Sequence, residues 1–176
     1  EDRSGVLWIG TGGGGLNEFD RENGRFIHYR NDPGNPHSLT GNVVRSIYED
    51  QSGELWIGTY YNGLDRFDRE SAPGAGAGQF IHYQHAADDP NSLGDDRVRS
   101  IYEDQSGGLW IGTYYGGLDR FDRENDQFIH YRNDPNDPSS LSDDRVWSVY
   151  EDRSGVLWIG TNRGGLCKSD RSTERF

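Results

Sequence analysis

The sequence predicts an all-β fold, a β-propeller of four-stranded antiparallel blades, on three observations. One eleven-residue stretch occurs four times, as Glu1-Asp-Arg-Ser-Gly-Val-Leu-Trp8-Ile-Gly-Thr11 and again at 49–59, 103–113 and 151–161. Its tryptophans, Trp8, Trp56, Trp110 and Trp158, lie 48, 54 and 48 residues apart, and the surplus in the middle falls within a Gly- and Ala-rich insert at 71–78. Between the copies come short runs of β-branched and aromatic residues bounded by Gly, Asp, Asn and Pro, with no helical periodicity. Four short strands in a period of about 40 to 50 residues is the pattern of a propeller blade; a sandwich does not repeat one Trp at one phase.

The second period shows each element. A first strand spans 43–49, and the turn Asp50-Gln-Ser-Gly53 leads to a second at 55–60. The bend Tyr61-Asn-Gly63 opens a third at 64–67, and a fourth follows at 79–83. Leu55 and Ile57 alternate with Trp56, so both faces are apolar, as expected where neighbouring sheets cover each side. A polar link such as 132–144 then returns the chain to a new first strand, its Asp-Pro steps ending the previous one. One Leu per link, Leu39, Leu93 and Leu141, is expected to pin it to the sheet. No helix is expected.

The segment divides into a partial blade at 1–30, blades at 43–83 and 97–131, and a partial blade at 145–176. Glu1 starts at the turn after a first strand and Phe176 corresponds to Phe26, so the chain holds about 3.5 to 4 blades. An open array leaves unpaired edges and an uncovered blade face. The expectation is part of a larger propeller, or a unit completed by self-association.

Net charge is -12, from 30 acidic against 18 basic residues, which argues against a nucleic-acid partner or direct contact with an anionic membrane. Most acids fall in turns and read as a solvated surface, with calcium binding as the alternative. Ten Tyr and five Trp, recurring at fixed phase, supply the core that a low aliphatic content alone would not. Cys167 is the single cysteine, so no intrachain disulfide forms. No apolar run approaches the length of a transmembrane helix, and no signal-peptide pattern opens the sequence.

The run Val98-Arg-Ser-Ile-Tyr-Glu-Asp-Gln-Ser-Gly-Gly-Leu-Trp-Ile-Gly-Thr113, with its counterparts in the other periods, resembles the two-component regulator propeller repeat. The resemblance implies a propeller, usually seven-bladed, in the periplasmic or extracellular sensor region of bacterial hybrid histidine kinases, often carbohydrate-responsive. It identifies no ligand.

Motifs shared by every period are expected to build the blade. The Asp-x-Ser-Gly turn has too few carboxylates for an EF-hand-type site, although the adjacent Glu49, Glu103 and Glu151 leave a metal reading open. The in-phase tryptophans read as inter-blade packing rather than sugar platforms. His28, His82 and His130 fall on three different blades, too far apart for one metal. Gly12–Gly15 follows a strand but precedes no helix, so it is a bend and not a phosphate loop. No cofactor is expected, and no nucleophile motif is present.

What differs between periods is free to be site chemistry. The bend between second and third strands varies most, and it gives the candidate ligand-binding residues Tyr60, Tyr61, Asn62, Tyr114, Tyr115, Asn162 and Arg163. In propellers this bend and the link open on one face, and tyrosines with Asn and Arg suit a glycan or other polar small ligand. The alternative is that Tyr60 and Tyr114 simply cover strand ends. Arg45, Arg99 and Trp147 share one first-strand position and carry less weight. The leading expectation is therefore a non-enzymatic ligand-binding or protein-interaction segment. A self-assembling scaffold is the alternative, and a glycan-cleaving enzyme using Asp96 and Asp144 is a third.

Overall fold

The structure, a computed structural model, describes residues 1–69, 78–169 and 175–176; the insert at 71–78 lies, apart from Gly78, outside the described residues. Among the described residues, fourteen strands form four antiparallel sheets in chain order. The first sheet holds β1 (Leu7–Gly10), β2 (Leu16–Asp20) and β3 (Arg25–Tyr29). The second holds β4 (Val44–Glu49), β5 (Leu55–Thr59), β6 (Leu64–Asp68) and β7 (Gln79–Tyr83). The third holds β8 (Val98–Glu103), β9 (Leu109–Thr113), β10 (Leu118–Asp122) and β11 (Gln127–Tyr131). The last holds β12 (Val146–Glu151), β13 (Leu157–Thr161) and β14 (Leu166–Ser169). No helix occurs among the described residues. Each sheet is a meander, and the first strands β4, β8 and β12 approach one another from blade to blade.

The blades are held face to face by aromatic side chains. Trp56 lies 5.7 Å from Tyr83 of its own blade and 5.2 Å, edge-on, from Phe121 of the next. Trp8 repeats the contact with Tyr29 and Phe67. Every residue of β5 and β9, the second strands of the two inner blades, is buried, as apolar character on both faces requires. Leu39, Leu93 and Leu141 are fully buried and fix the three links.

The repeated turn is built on its aspartate. Asp50 Oδ1 accepts bonds from Ser52 N (3.0 Å), Ser52 Oγ (2.7 Å) and Glu54 N (2.9 Å), while Oδ2 accepts Trp56 Nε1 at 2.8 Å. Gly53 sits at φ +86°, a left-handed conformation that favours glycine at this position. Arg123, from the following blade, reaches the same carboxylate at 2.9 Å, and Arg69 reaches Asp2 at 2.6 Å. The glutamates complete the seam: Glu103 Oε2 accepts Gln51 N at 2.5 Å and Glu151 Oε2 accepts Gln105 N at 2.7 Å. These carboxylates are structural, and no cluster suited to a metal occurs among the described residues.

The expectation that the acidic residues form a solvated surface is corrected for seven of them. Asp2, Asp50, Asp65, Glu103, Asp104, Asp119 and Glu151 are buried. Asp65 and Asp119, on third strands, bond His82 and His130 at 2.6 Å; their remaining capacity takes Thr40 N and Oγ1, or Gly94 N, from the preceding link. The histidines in turn bond the carbonyls of Pro36 and Pro90. Burial of a carboxylate is tolerated only when such bonds satisfy it. Cys167 occupies the same position in the last blade and contacts Ser142 of its link at 2.9 Å.

Candidate functional site

The bends and links meet on one face because they bond to each other. Gly63 N donates to Asp96 O at 2.9 Å and Gly117 N to Asp144 O at 3.0 Å, each bond joining a bend to the link that follows its blade. Within the bend, Thr59 Oγ1 accepts Asn62 N, which closes the turn from inside. Gly63 has φ +89°, and a Cβ there would strike the carbonyl oxygen of Tyr83.

On this scaffold the structure brings Tyr60 and Tyr114 together through arginine. Each first strand carries a β-bulge, where Val44 and Ser46, Val98 and Ser100, and Val146 and Ser148 pair as though the intervening residue were extra. The bulged residues are Arg45, Arg99 and Trp147, and a bulge re-aims a side chain out of the regular ladder. Arg45 lies over the Tyr60 ring at 4.6 Å, and Arg99 lies 4.7 Å from Tyr60, 4.5 Å from Tyr114 and 4.8 Å from Trp147. The result is a continuous row, Arg45, Tyr60, Arg99, Tyr114 and Trp147, running across three blades.

Tyr61 and Tyr115 stand outside that row. Each meets its neighbouring tyrosine edge-on, at 4.2 and 4.5 Å, and they remain 63% and 54% exposed, with ring area free for contact. Asn62 is exposed beside Gln84. Asn162 and Arg163 are also exposed, on the last blade; Arg163 is attached by its backbone N–H to Asp143 at 3.0 Å, and neither side chain joins the row. The candidate residues therefore share a face, but only Tyr60 and Tyr114 share one stack.

A second set of arginines, overlooked in the sequence, lies beside the row. Arg97 forms a two-pronged pair with Asp95 (2.9 and 2.7 Å), and its guanidinium covers Tyr115 at 4.3 Å. Arg145 pairs with Asp143 in the same way at 3.0 Å. The Asp95 carboxylate raises the Arg97 pKa still further. For Asp143, burial pushes the carboxyl up, but bonds from Arg145 and from the Arg145 and Arg163 backbone N–H groups outweigh it and hold it below its usual range. The Asp-x-Arg spacing was the available signal. Tyr115, Asn133, Ser142, Asp143, Asp144 and Arg145 line an open depression of about 460 Å³. A second, of about 580 Å³, lies at the other end of β5, where Arg66 pairs with Glu54 and Arg69 with Asp2.

The adjacent acids do not converge. Asp96 Oδ1 accepts His85 N at 2.7 Å and Asp144 Oδ1 accepts Asn133 N at 2.6 Å, while Asp95 and Asp143 turn to their arginines. Asp95, Asp96 and Asp144 are each bonded within their own link, and Asp143 also accepts Arg163 N from the bend of the last blade.

The two component regulator propeller model matches residues 38–61, 92–115 and 140–163. No curated protein matches the sequence. Among solved structures, the extracellular domain of a B. thetaiotaomicron protein described as a hybrid two component system is 32% identical, with a TM-score of 0.83, over 99% of this chain and 23% of that one. The extracellular domain of another B. thetaiotaomicron protein, described as a one component system, is 26% identical with a TM-score of 0.58, over 98% of this chain and 28% of that one. A virginiamycin B lyase from Staphylococcus aureus shares the fold at 17% identity and a TM-score of 0.60, over 97% of this chain and 54% of that one. The chain thus spans less than a third of the length of the two sensor domains. It is built from two component regulator propeller repeats, set side by side as the blades of a β-propeller.

Proposed function

We propose that this segment is a non-enzymatic, ligand-binding part of an extracellular or periplasmic sensor region, and that it takes a polar, ring-bearing ligand such as a glycan on the face where bends and links meet. The observation that carries the reading is the contrast between blades. Turns, Trp positions and link leucines repeat in packing and hydrogen bonding, while the bends differ and present the exposed rings of Tyr61 and Tyr115 beside the arginine–tyrosine row. The likeness to extracellular domains of one and two component systems supports the location. The separate engagement of Asp96 and Asp144 supports a non-enzymatic role, since acid–base cleavage needs two groups aimed at one bond. Signal would pass as a shift in packing between this segment and its neighbours.

Calorimetric titration with a panel of neutral and acidic oligosaccharides tests the reading. Binding by at least one class, weakened about tenfold by Tyr61→Ala or Tyr115→Ala as expected for a lost stacking partner, supports it. No binding by any class, or unchanged binding in both variants, overturns the assigned site.

A second reading, a unit that self-assembles through its outer blade faces, rests on Phe26. It is 47% exposed, although its counterparts Phe80 and Phe128 are 2% and 4% exposed beneath a neighbouring blade. Light scattering separates the two, because a monodisperse monomer excludes assembly through that face.

A further inference from the structure

We infer that the ligand taken by this face is anionic, a ring-bearing molecule with carboxylate or sulfate groups held by Arg45 and Arg99. The inference rests on the proposed ligand-binding role and adds the ligand's charge. Most arginines of the inner blades are already satisfied: Arg66, Arg69, Arg97 and Arg123 each hold a carboxylate, as does Arg145 at the start of the last blade. Arg45 and Arg99 hold none. Among the described residues neither guanidinium donates a hydrogen bond, and Arg99 Nε is buried without a partner.

That arrangement has a cost. A guanidinium carries five N–H donors; at Arg99 the Nε–H is taken out of water without replacement, which is unfavourable, while Arg45 stays exposed. The ring faces of Tyr60, Tyr114 and Trp147 stabilise the charge, yet they accept none of the in-plane bonds. The rings hold each guanidinium in the row without bonding its Nη edge, and a carboxylate or sulfate fits two such N–H groups at once, while the Arg99 Nε itself is buried. Both arginines stand at β-bulges, so the backbone departs from its regular ladder at the positions that bear them.

The surroundings do not compete for that edge. Asp95 and Asp143, the acids of the adjoining links, are occupied by Arg97 and Arg145. In a chain of net charge -12, two carboxylate-free arginines in one row are a local reversal of sign. Rings of a saccharide would lie on Tyr61 and Tyr115 while its acidic groups reach Arg45 and Arg99.

The test is calorimetric titration with an oligogalacturonate, a sulfated galactan oligomer and a neutral galactan oligomer of equal length. The expected result is that at least one acidic oligomer binds about tenfold or more tightly than the neutral one, with the advantage shrinking as salt is raised. Comparing the two acidic arms separates carboxylate from sulfate recognition. Arg99→Gln and Arg45→Gln are expected to bring the acidic oligomer down to the neutral level, and Arg99→Lys to restore only part of the preference. Arg45 is exposed, so Arg45→Gln carries the test if Arg99→Gln lowers the melting temperature. Equal affinity for acidic and neutral oligomers, or a preference that survives both Gln variants, overturns the inference and leaves ligand binding standing. Failure of all three oligomers to bind overturns both.

Discussion

Replacing Asp50 by Ala should destabilise the propeller more than any other single change in the repeated turn, and the size follows from its bonds. The carboxylate is fully buried and accepts five donors: Ser52 N, Ser52 Oγ, Glu54 N, Trp56 Nε1 and Arg123 Nη2. The Ser52 and Glu54 groups lie near water and recover much of what they lose. Trp56, fully buried, cannot, and its orphaned N–H costs about 1–3 kcal/mol. Arg123 keeps Glu103 at 3.1 Å and Glu54 at 3.4 Å, so its loss is partial. The total is about 4 kcal/mol, within the range for breaking a buried charge pair, or a fall of about 8–16 °C in melting temperature for a chain of this size. Asp152→Ala is the control. It removes the same bonds to Ser154, Val156 and Trp158, but Trp158 is only half-buried, so a smaller loss is expected. Guanidinium unfolding followed by tryptophan fluorescence measures both. Burial pushes the Asp50 carboxyl up, yet bonds from Trp56, Ser52, Arg123 and Glu54 hold it below its usual value. Its contribution is therefore present above the unfolded pKa of about 3.9 and lost as pH falls through the lower folded value, so the variant and parent curves should converge in acid. A loss below about 1 kcal/mol for Asp50→Ala, or equal losses for the two variants, would refute the inter-blade role of this turn.

Two further outcomes follow from the same geometry. Gly63→Ala and Gly165→Ala both place a side chain at positive φ (+89° and +80°), but only at Gly63 would the new Cβ meet a backbone carbonyl, whereas nothing lies within 4 Å at Gly165. Thermal denaturation should show a loss of about 1 kcal/mol at Gly165 and clearly more at Gly63; equal losses would mean that the bend relaxes freely. The Asp65 carboxylate raises the His82 pKa against the opposing effect of burial, with the Pro36 carbonyl assisting. A raised folded value means the stabilisation is complete below the unfolded pKa of about 6.5 and fades as pH rises through the folded one. Melting temperature measured from pH 6 to 9 should fall more steeply for the parent than for His82→Gln, and parallel curves would show that the imidazolium form contributes nothing.

The sequence was sufficient for the architecture because a repeat is its own control. Trp56 and Trp110 at one phase, Gly53 and Gly107 in the turn, and Leu39, Leu93 and Leu141 in the links each occupy in the structure the place that periodicity assigned them. It also located the bends as the variable face. It could not give the partners of Asp65 and Asp119: a carboxylate inside a Leu-Asp-Arg-Phe strand reads as solvent-facing until the histidine of the fourth strand and the preceding link close over it. Nor could it rank the residues of the bend. Tyr60 and Tyr61 are adjacent and chemically identical, yet one is clamped between two arginines and the other is 63% exposed.

The same limit set the weight given to Arg45 and Arg99, whose importance depends on a bulge that no residue type announces. By itself the sequence determined the blade, its period and the face where its copies diverge, because local propensity and repetition act within one blade. Only the tertiary structure decided which charges are spent on holding blades together and which are left over, because carboxylates and guanidiniums 67 and 73 residues apart pair across seams that exist only once the sheets are stacked.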